Sequence, residues 1–237
     1  MARVVVLGQS GTGKSYYVGY LLERIVPDVT LAVHMDIEDE EIGLSQQSNP
    51  LYRSVPVDSK RGGRLNWATV LDKHRRVRVV PDDLTREEQR RVYAEICRVV
   101  IRMCKGAKAT AFISCDEAHN LLSQTTFPKS VERMITGGRK HGVECLHVSQ
   151  RPQLLHTTVI SQADKRIYFG ISDDNDLSKI DKTSNFPASM LTRLPARKFI
   201  AENKHTGEWT EESTEGLTRQ RKHYSGDDGI VDRHLPV

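Results

Sequence analysis

Apolar residues along this chain fall into short unbroken runs, separated by stretches with helical spacing. Seven runs stand out: "RVVVLG" (3–8), "TLAVHM" (30–35), "VRVVP" (77–81), "TAFISC" (110–115), "ECLHVS" (144–149), "RIYFG" (166–170) and "KFIAE" (198–202). They are continuous rather than alternating, as strands covered on both faces should be. After the first run, Val18, Leu21, Leu22 and Ile25 share one helical face. The segment from Leu84 to Cys104 is the clearest helix: Thr85 and Glu88 have capping-box spacing, and Val92, Ile96, Val99, Val100 and Met103 form the buried stripe. A further helix is expected over Ser130 to His141, with Val131, Met134 and Ile135 inward and Gly142 as its cap. Strands alternating with helices predict an α/β fold with a mainly parallel sheet flanked by helices on both faces. No internal repeat is present.

Two segments break the pattern. Asp36 to Arg64 has weak periodicity and several turn residues, and is expected to be an irregular excursion on one edge. The end of the chain, 212–237, is polar and rich in breakers, so one domain over 1–211 followed by a polar, partly disordered arm is the expected organisation.

Composition narrows this picture only slightly. The 237 residues are enough for a full core, and 28% charged with 6% aromatic residues is an ordinary balance for a water-soluble protein. A formal net charge of +4 permits a polyanionic partner without requiring one. No run approaches the roughly 18 apolar residues that a membrane span needs, and "MARVVVLGQ" does not read as a secretory signal. Cys97, Cys104, Cys115 and Cys145 lack CxxC spacing and clustered histidines, so reduced, buried thiols are expected rather than zinc or disulfides.

The chemistry starts at the first strand. Gly8 to Ser15 fits the spacing GxxxxGK followed by Ser or Thr, between a strand and a helix, which is the context a phosphate loop requires. Gly8, Gly11 and Gly13 let the backbone amides turn inward, and the loop residues Gln9, Ser10 and Thr12, with Tyr16 just beyond, complete the nucleotide-binding segment. Lys14 can reach the outer phosphates, and the Ser15 hydroxyl can ligate Mg2+. The alternative is a glycine-rich turn that matches by chance. A second buried strand ends in Asp116 and Glu117. An Asp placed there holds magnesium together with the loop Ser, and a Glu directly after it can polarise water for attack on the terminal phosphate as a general base, which makes the expected reaction hydrolysis. Alone, the pair could equally be solvated carboxylates opening a helix. His119 is left outside the site, as a surface or capping residue.

The strand "ECLHVS" ends in Gln150, at the edge where ligands bind in parallel sheets. If that strand lies between the phosphate-loop strand and the acidic-pair strand, Gln150 faces the terminal phosphate; otherwise it caps the turn into Arg151 and Pro152. "GQSGTGKS", "CDEAHN", "GGRKHGVECLHVSQRP" and "ADKRIYFGISDDND", in this order over roughly residues 2–181, resemble the FtsK/HerA family of DNA-translocating ATPases, which includes the genome-packaging ATPases of membrane-containing double-stranded DNA viruses. The resemblance implies a RecA-like P-loop NTPase core with that interposed strand, ATP and Mg2+ as cofactors, and Gln150 as a sensor of the terminal phosphate. It also implies self-association into a hexameric or pentameric ring, in which Arg139 or Arg133 reaches the nucleotide of a neighbouring subunit as an arginine finger. For each arginine the alternative is an exposed cation near a helix C-terminus.

Family architecture then points to a task. With Arg3 to Leu7 as the first core strand, the chain looks like a bare motor, the usual form of the viral packaging ATPases. The expected partners are double-stranded DNA of any sequence and a capsid-vertex or membrane protein, and the expected location is the host cytoplasm or a packaging vertex of the virion. A cellular or plasmid DNA translocase and a phage protein-secretion or assembly ATPase are the alternatives. Candidate DNA contacts are "DSKRGGR" (58–64), "KHRRVR" (73–78) and "RQRKH" (219–223), although such basic runs are usually solvated faces.

Overall fold

The computed structural model describes residues 3–46, 50–60, 64–106 and 109–223. In chain order the elements are β1 (Val4–Leu7), α1 (Lys14–Ile25), β2 (Leu31–Met35), β3 (Arg53–Val57), α2 (Trp67–His74), β4 (Arg76–Pro81), α3 (Arg86–Gly106), β5 (Ala111–Cys115), α4 (Lys129–Gly137), β6 (Val143–Ser149), α5 (Thr157–Gln162), β7 (Lys165–Phe169), α6 (Asp174–Asp181), β8 (Lys198–Asn203) and β9 (Trp209–Ser213). They build one nine-stranded sheet in the order β3-β4-β2-β5-β6-β1-β7-β8-β9. Strands β1 to β7 pair in parallel, and β8 and β9 continue the sheet antiparallel.

All seven expected strands are present, and their continuous apolar runs are explained by two cores. Val5, Leu7, Ile113, Cys115 and Cys145 point to the side covered by α2 to α6, whereas Val6, Phe112, Leu146 and Val148 point to the side covered by α1. The Thr85–Glu88 capping box closes as read: Thr85 N donates to Glu88 Oε2 at 2.9 Å and Glu88 N to Thr85 Oγ1 at 3.3 Å. The helix expected over 130–141 ends earlier, at Gly137, and tightens into a 3-10 turn over Gly138–His141 before Gly142 turns with φ +71°. All four cysteines are free and buried. No helix among the described residues is long and apolar enough to cross a membrane.

The segment from Asp36 to Arg64 does more than wander. Leu44, Leu51 and Tyr52 cover the α1 side of the sheet, and the chain then adds β3 as an edge strand. What anchors the segment is Arg78 of β4. Its wholly buried guanidinium donates through Nε to Asp36 Oδ2 at 2.8 Å and pairs with Asp39, while Ser45 Oγ lies 3.4 Å away. A buried cation requires partners of this kind, because desolvation alone would expel it. Arg78 therefore leaves the basic run 73–78 expected to face DNA. Arg76 donates to Pro27 O at 3.1 Å, and Arg75 pairs with Asp72.

The expected boundary at 212 falls inside β9, and the chain continues as a strap over 214–223 that packs on α1. Arg219 of the third basic run is buried there between Glu23 and Glu41, so it too is removed from polyanion contact. Residues 224–237 of the expected arm, and 61–63 of the first basic run, lie outside the described residues.

Two histidines sit inside the sheet. His147 Nε2 is 3.0 Å from the Tyr93 hydroxyl and His34 Nδ1 is 2.9 Å from Ser114 Oγ; burial pulls both imidazoles down to about 4 from 6.5. Because the folded pKa lies below the unfolded one, these sites contribute their full stability above pH 6.5 and lose it as pH falls towards 4. Buried carboxylates with raised pKa act in the opposite direction, so slopes should be compared between variants. In urea unfolding between pH 6 and 5, the stability of His147→Gln should fall less steeply than that of wild type, by about 1 kcal/mol per pH unit, with little difference between pH 8 and 7. Equal slopes would remove His147 from the balance.

Candidate nucleotide site

Strand β1 pairs with β6 and β7, and the ladder runs one step past its end: Gly8 N donates to Ser149 O at 3.3 Å and Gln9 N to Gly170 O at 3.0 Å. The backbone then leaves the sheet. Gly8 is required at that exit, because its φ is +153° and a Cβ there would stand 2.5 Å from Phe169 Cβ. Gly13, at φ +102°, sits directly before α1, whose first-turn amides open towards the loop. Thr12 braces the loop by donating its hydroxyl to Gln9 O at 2.7 Å, and Arg197 N donates to Thr12 O at 2.9 Å.

Lys14 is buried and folds back over the loop, donating from Nζ to Gln9 O at 2.6 Å. Burial lowers its pKa, opposed by the charges of Glu117, Asp116 and Glu40. Ser15 Oγ lies 3.5 Å from Glu40 Oε2. The Tyr16 side chain takes no part in the loop: its hydroxyl donates to Leu217 O at 2.8 Å in the C-terminal strap.

The acidic pair meets this loop from across the sheet. Asp116 N donates to Met35 O, and Asp116 Oδ1 accepts from Glu117 N at 2.8 Å. Burial raises the Asp116 pKa well above the usual carboxylate range, with Glu117 and Asp36 adding to the effect, and burial likewise raises Glu117. Glu117 has left-handed backbone angles, φ +41° and ψ +42°, a strained state for a non-glycine residue. One of its carboxylate oxygens, Oε1, accepts a hydrogen bond. Gln150 Nε2 donates to Oε1 at 2.5 Å, and His119 Nδ1 lies 3.1 Å from Oε2 and 3.2 Å from Ser149 Oγ.

The interposed strand is present: β6 lies between β5 and β1, which brings Gln150, Glu117 and the loop to one edge. Sequence position alone leaves His119 outside the site; three residues carry it from Asp116 back under Glu117, and only the turn over Ala118–Asn120 reveals this. Burial, with Arg86 and Arg151 nearby, pulls its imidazole down to about 4, so at neutral pH it is uncharged and lies against Glu117 without an ion pair. Beside the loop a cleft of about 340 Å³ is lined by Gln9, Ser10, Gln150, Arg151, Ser172, Asp173 and Asp176.

Arg139 and Arg133 are elsewhere. Both are exposed, and Arg139 precedes the start of β6 whereas Gln150 follows its end, so the strand separates them by roughly 20 Å. Within one chain Arg139 cannot approach the loop. Among the described residues no cluster of three or more acidic, His or Cys side chains could hold a metal on its own. Mg2+ nevertheless fits the donor set, because Asp116, Glu117 and Glu40 crowd round Lys14 with their charge poorly compensated, and an Asp with a hydroxyl leaves room for water and phosphate ligands.

No protein-family model matches the chain, and no curated protein matches it. Solved structures do. The genome packaging NTPase B204 from Sulfolobus turreted icosahedral virus 2, in complex with AMPPCP, is 18% identical with a TM-score of 0.68, covering 90% of this chain and 97% of that one. The same protein with ATP-gammaS aligns at a TM-score of 0.66 with 16% identity, over 90% and 96%. The bacterial conjugative coupling protein TrwBdeltaN70 is 9% identical with a TM-score of 0.65, over 94% and 87%. The chain therefore shares the RecA-like P-loop NTPase fold of these proteins, with its interposed strand and phosphate loop in the arrangement that the resemblance implied.

Proposed function

We propose that this chain hydrolyses ATP to translocate double-stranded DNA, and that its task is to load a viral genome into a preformed capsid. The hydrogen bond from Gln150 to Glu117, made at the end of the interposed strand, is the observation that carries the motor reading. A protein that only bound nucleotide would have no use for a strained glutamate bonded to a strand-end glutamine next to a phosphate loop.

ATP would lay its phosphates over residues 8–15 and the N-terminus of α1. Lys14 would exchange Gln9 O for an outer phosphate oxygen. Asp116 and Ser15 would hold Mg2+, which supplies charge compensation and orients the outer phosphates. Glu117 would take a proton as water adds to the terminal phosphorus and the bond to the ADP oxygen breaks. For that, its carboxylate must give up a present partner. Gln150 also lines the cleft beside the loop, so its amide can turn from Glu117 to the terminal phosphate and free the base only when that phosphate is present.

Arg139 or Arg133 would act in a neighbouring copy, within a ring of six or five subunits, because neither belongs to its own chain's site. Among the described residues of the basic segments, Lys60, Arg64 and Lys73 are exposed cations suited to sequence-independent contact with DNA phosphates. The likeness to the packaging NTPase supports the viral task and a location in the host cytoplasm or at a capsid vertex. The likeness to TrwB supports a second reading, conjugative DNA transfer. Capsid genes beside this one would favour the first, and relaxase genes the second.

Two measurements test the reading. Glu117→Gln should bind ATP but turn it over at least about 100-fold more slowly; turnover at the wild-type rate would sink the assignment of the base. Long double-stranded DNA should stimulate wild-type turnover, steeply less so as salt rises, and the active species should have the mass of a ring. A strictly monomeric ATPase indifferent to DNA would point to a polypeptide cargo or to a switch.

A further inference from the structure

Helix α1 has two faces with separate duties. Val18 and Leu22 pack on the sheet, while Tyr16, Gly19 and Glu23, at i, i+3 and i+7, form a second stripe that meets the strap 214–223. Every contact on that stripe is specific. Tyr16 donates its hydroxyl to Leu217 O at 2.8 Å, and Glu23 accepts from the backbone N–H of Gln220 at 2.5 Å and of Arg221 at 2.9 Å. Between them, the absence of a side chain at Gly19 makes space for the Arg219 guanidinium; a Cβ there would lie 2.1 Å from Cζ.

Arg219 spans two bodies. One ion pair, 3.6 Å from Nε, goes to Glu23 on α1; the other, 2.9 Å from an Nη, goes to Glu41. Glu41 closes the acidic turn that follows β2, where Asp36 accepts from Glu40 N at 3.1 Å and from Glu41 N at 2.9 Å. That turn aims Glu40 at Ser15, the first-turn residue of α1. The guanidinium thus rivets the phosphate-loop helix to the acidic turn facing it. The rivet is incompletely bonded, because Arg219 Nε and Glu41 Oε1 have no hydrogen-bond partner among the described residues. Buried polar atoms left without partners are costly in a low dielectric, so this contact is held at less than its full strength.

We propose that Arg219 is a positioning residue for the phosphate site: docking of the strap 214–223 and nucleotide occupancy of the loop are coupled, each stabilising the other through α1 and the 36–41 turn. By linkage the coupling is reciprocal, so nucleotide must tighten the strap as much as the docked strap tightens nucleotide. This inference rests on the reading of residues 8–15 as an ATP site.

The test uses the full chain, ATP-gammaS with Mg2+ as the binding probe, and hydrogen exchange of the strap amides. Two variants undock the rivet by unrelated routes. Arg219→Gln removes the charge, and Gly19→Ala evicts the guanidinium although alanine is the better helix former. Both should weaken ATP-gammaS binding about tenfold, raise the KM for ATP more than they lower kcat, and abolish the slowing of Gln220 and Arg221 exchange that ATP-gammaS produces in wild type. Arg219→Lys should recover part of the affinity. Wild-type affinity in both variants, or strap exchange in wild type that ignores ATP-gammaS, would overturn the coupling. Failure of wild type itself to bind ATP-gammaS would instead bring down the nucleotide reading and this inference with it.

Discussion

Strand β6 hydrogen-bonds to β5 on one side and β1 on the other, and the geometry of the site depends on that placement. A parallel ladder aligns the carboxyl ends of neighbouring strands: Leu7 stands opposite Ser149 and Cys115 opposite His147, so the residues beyond them share one edge. Gln150 follows one of those strands and Glu117 another, which is why two side chains thirty-three positions apart meet at 2.5 Å. The phosphate loop leaves the third. Were β6 at the sheet margin, Gln150 would have neither partner.

Burial of charge is the second organising constraint. Arg78, Arg166 and Arg219 are buried with their carboxylate partners, and Arg3 is held by Asp164. Each pair fastens elements distant in sequence: β4 to the 36–45 segment, β7 to β8, the strap to α1 and its facing turn, and β1 to the turn before β7. Removing one partner of such a pair strands the other charge in a poorly solvated place, so these arginines act in assembly of the fold rather than in contact with a polyanion. The carboxylates at the phosphate site are the counter-example. Asp116, Glu117 and Glu40 share one buried lysine, and that imbalance suits a site completed by a divalent ion and phosphates.

The two strands that periodicity missed show where pattern reading loses its physical basis. β9, "WTEES", lies at the sheet margin with four of its five residues exposed, so no apolar run marks it. β3 contains Pro56, which is tolerated because the strand is at the opposite edge, and its burial is broken rather than continuous. His119 and the strap were missed for a related reason. A histidine three residues beyond an aspartate, or an arginine in "RQRKH", has no local signature until the chain folds back on itself.

What the sequence determined by itself was local: the seven buried strands, whose two-sided burial demands unbroken apolar runs; the capped helix α3; and the glycine, lysine and serine spacing that only a phosphate loop needs. The order of the strands, the bond from Gln150 to Glu117, the distance of Arg139 from its own chain's site and the burial of Arg78 and Arg219 were decided by tertiary structure alone. The reason is physical. Periodicity and capping are interactions between residues a turn apart, whereas strand order and charge pairing join residues 30 to 200 positions apart, and nothing in a local window records which distant partner will neutralise a given charge.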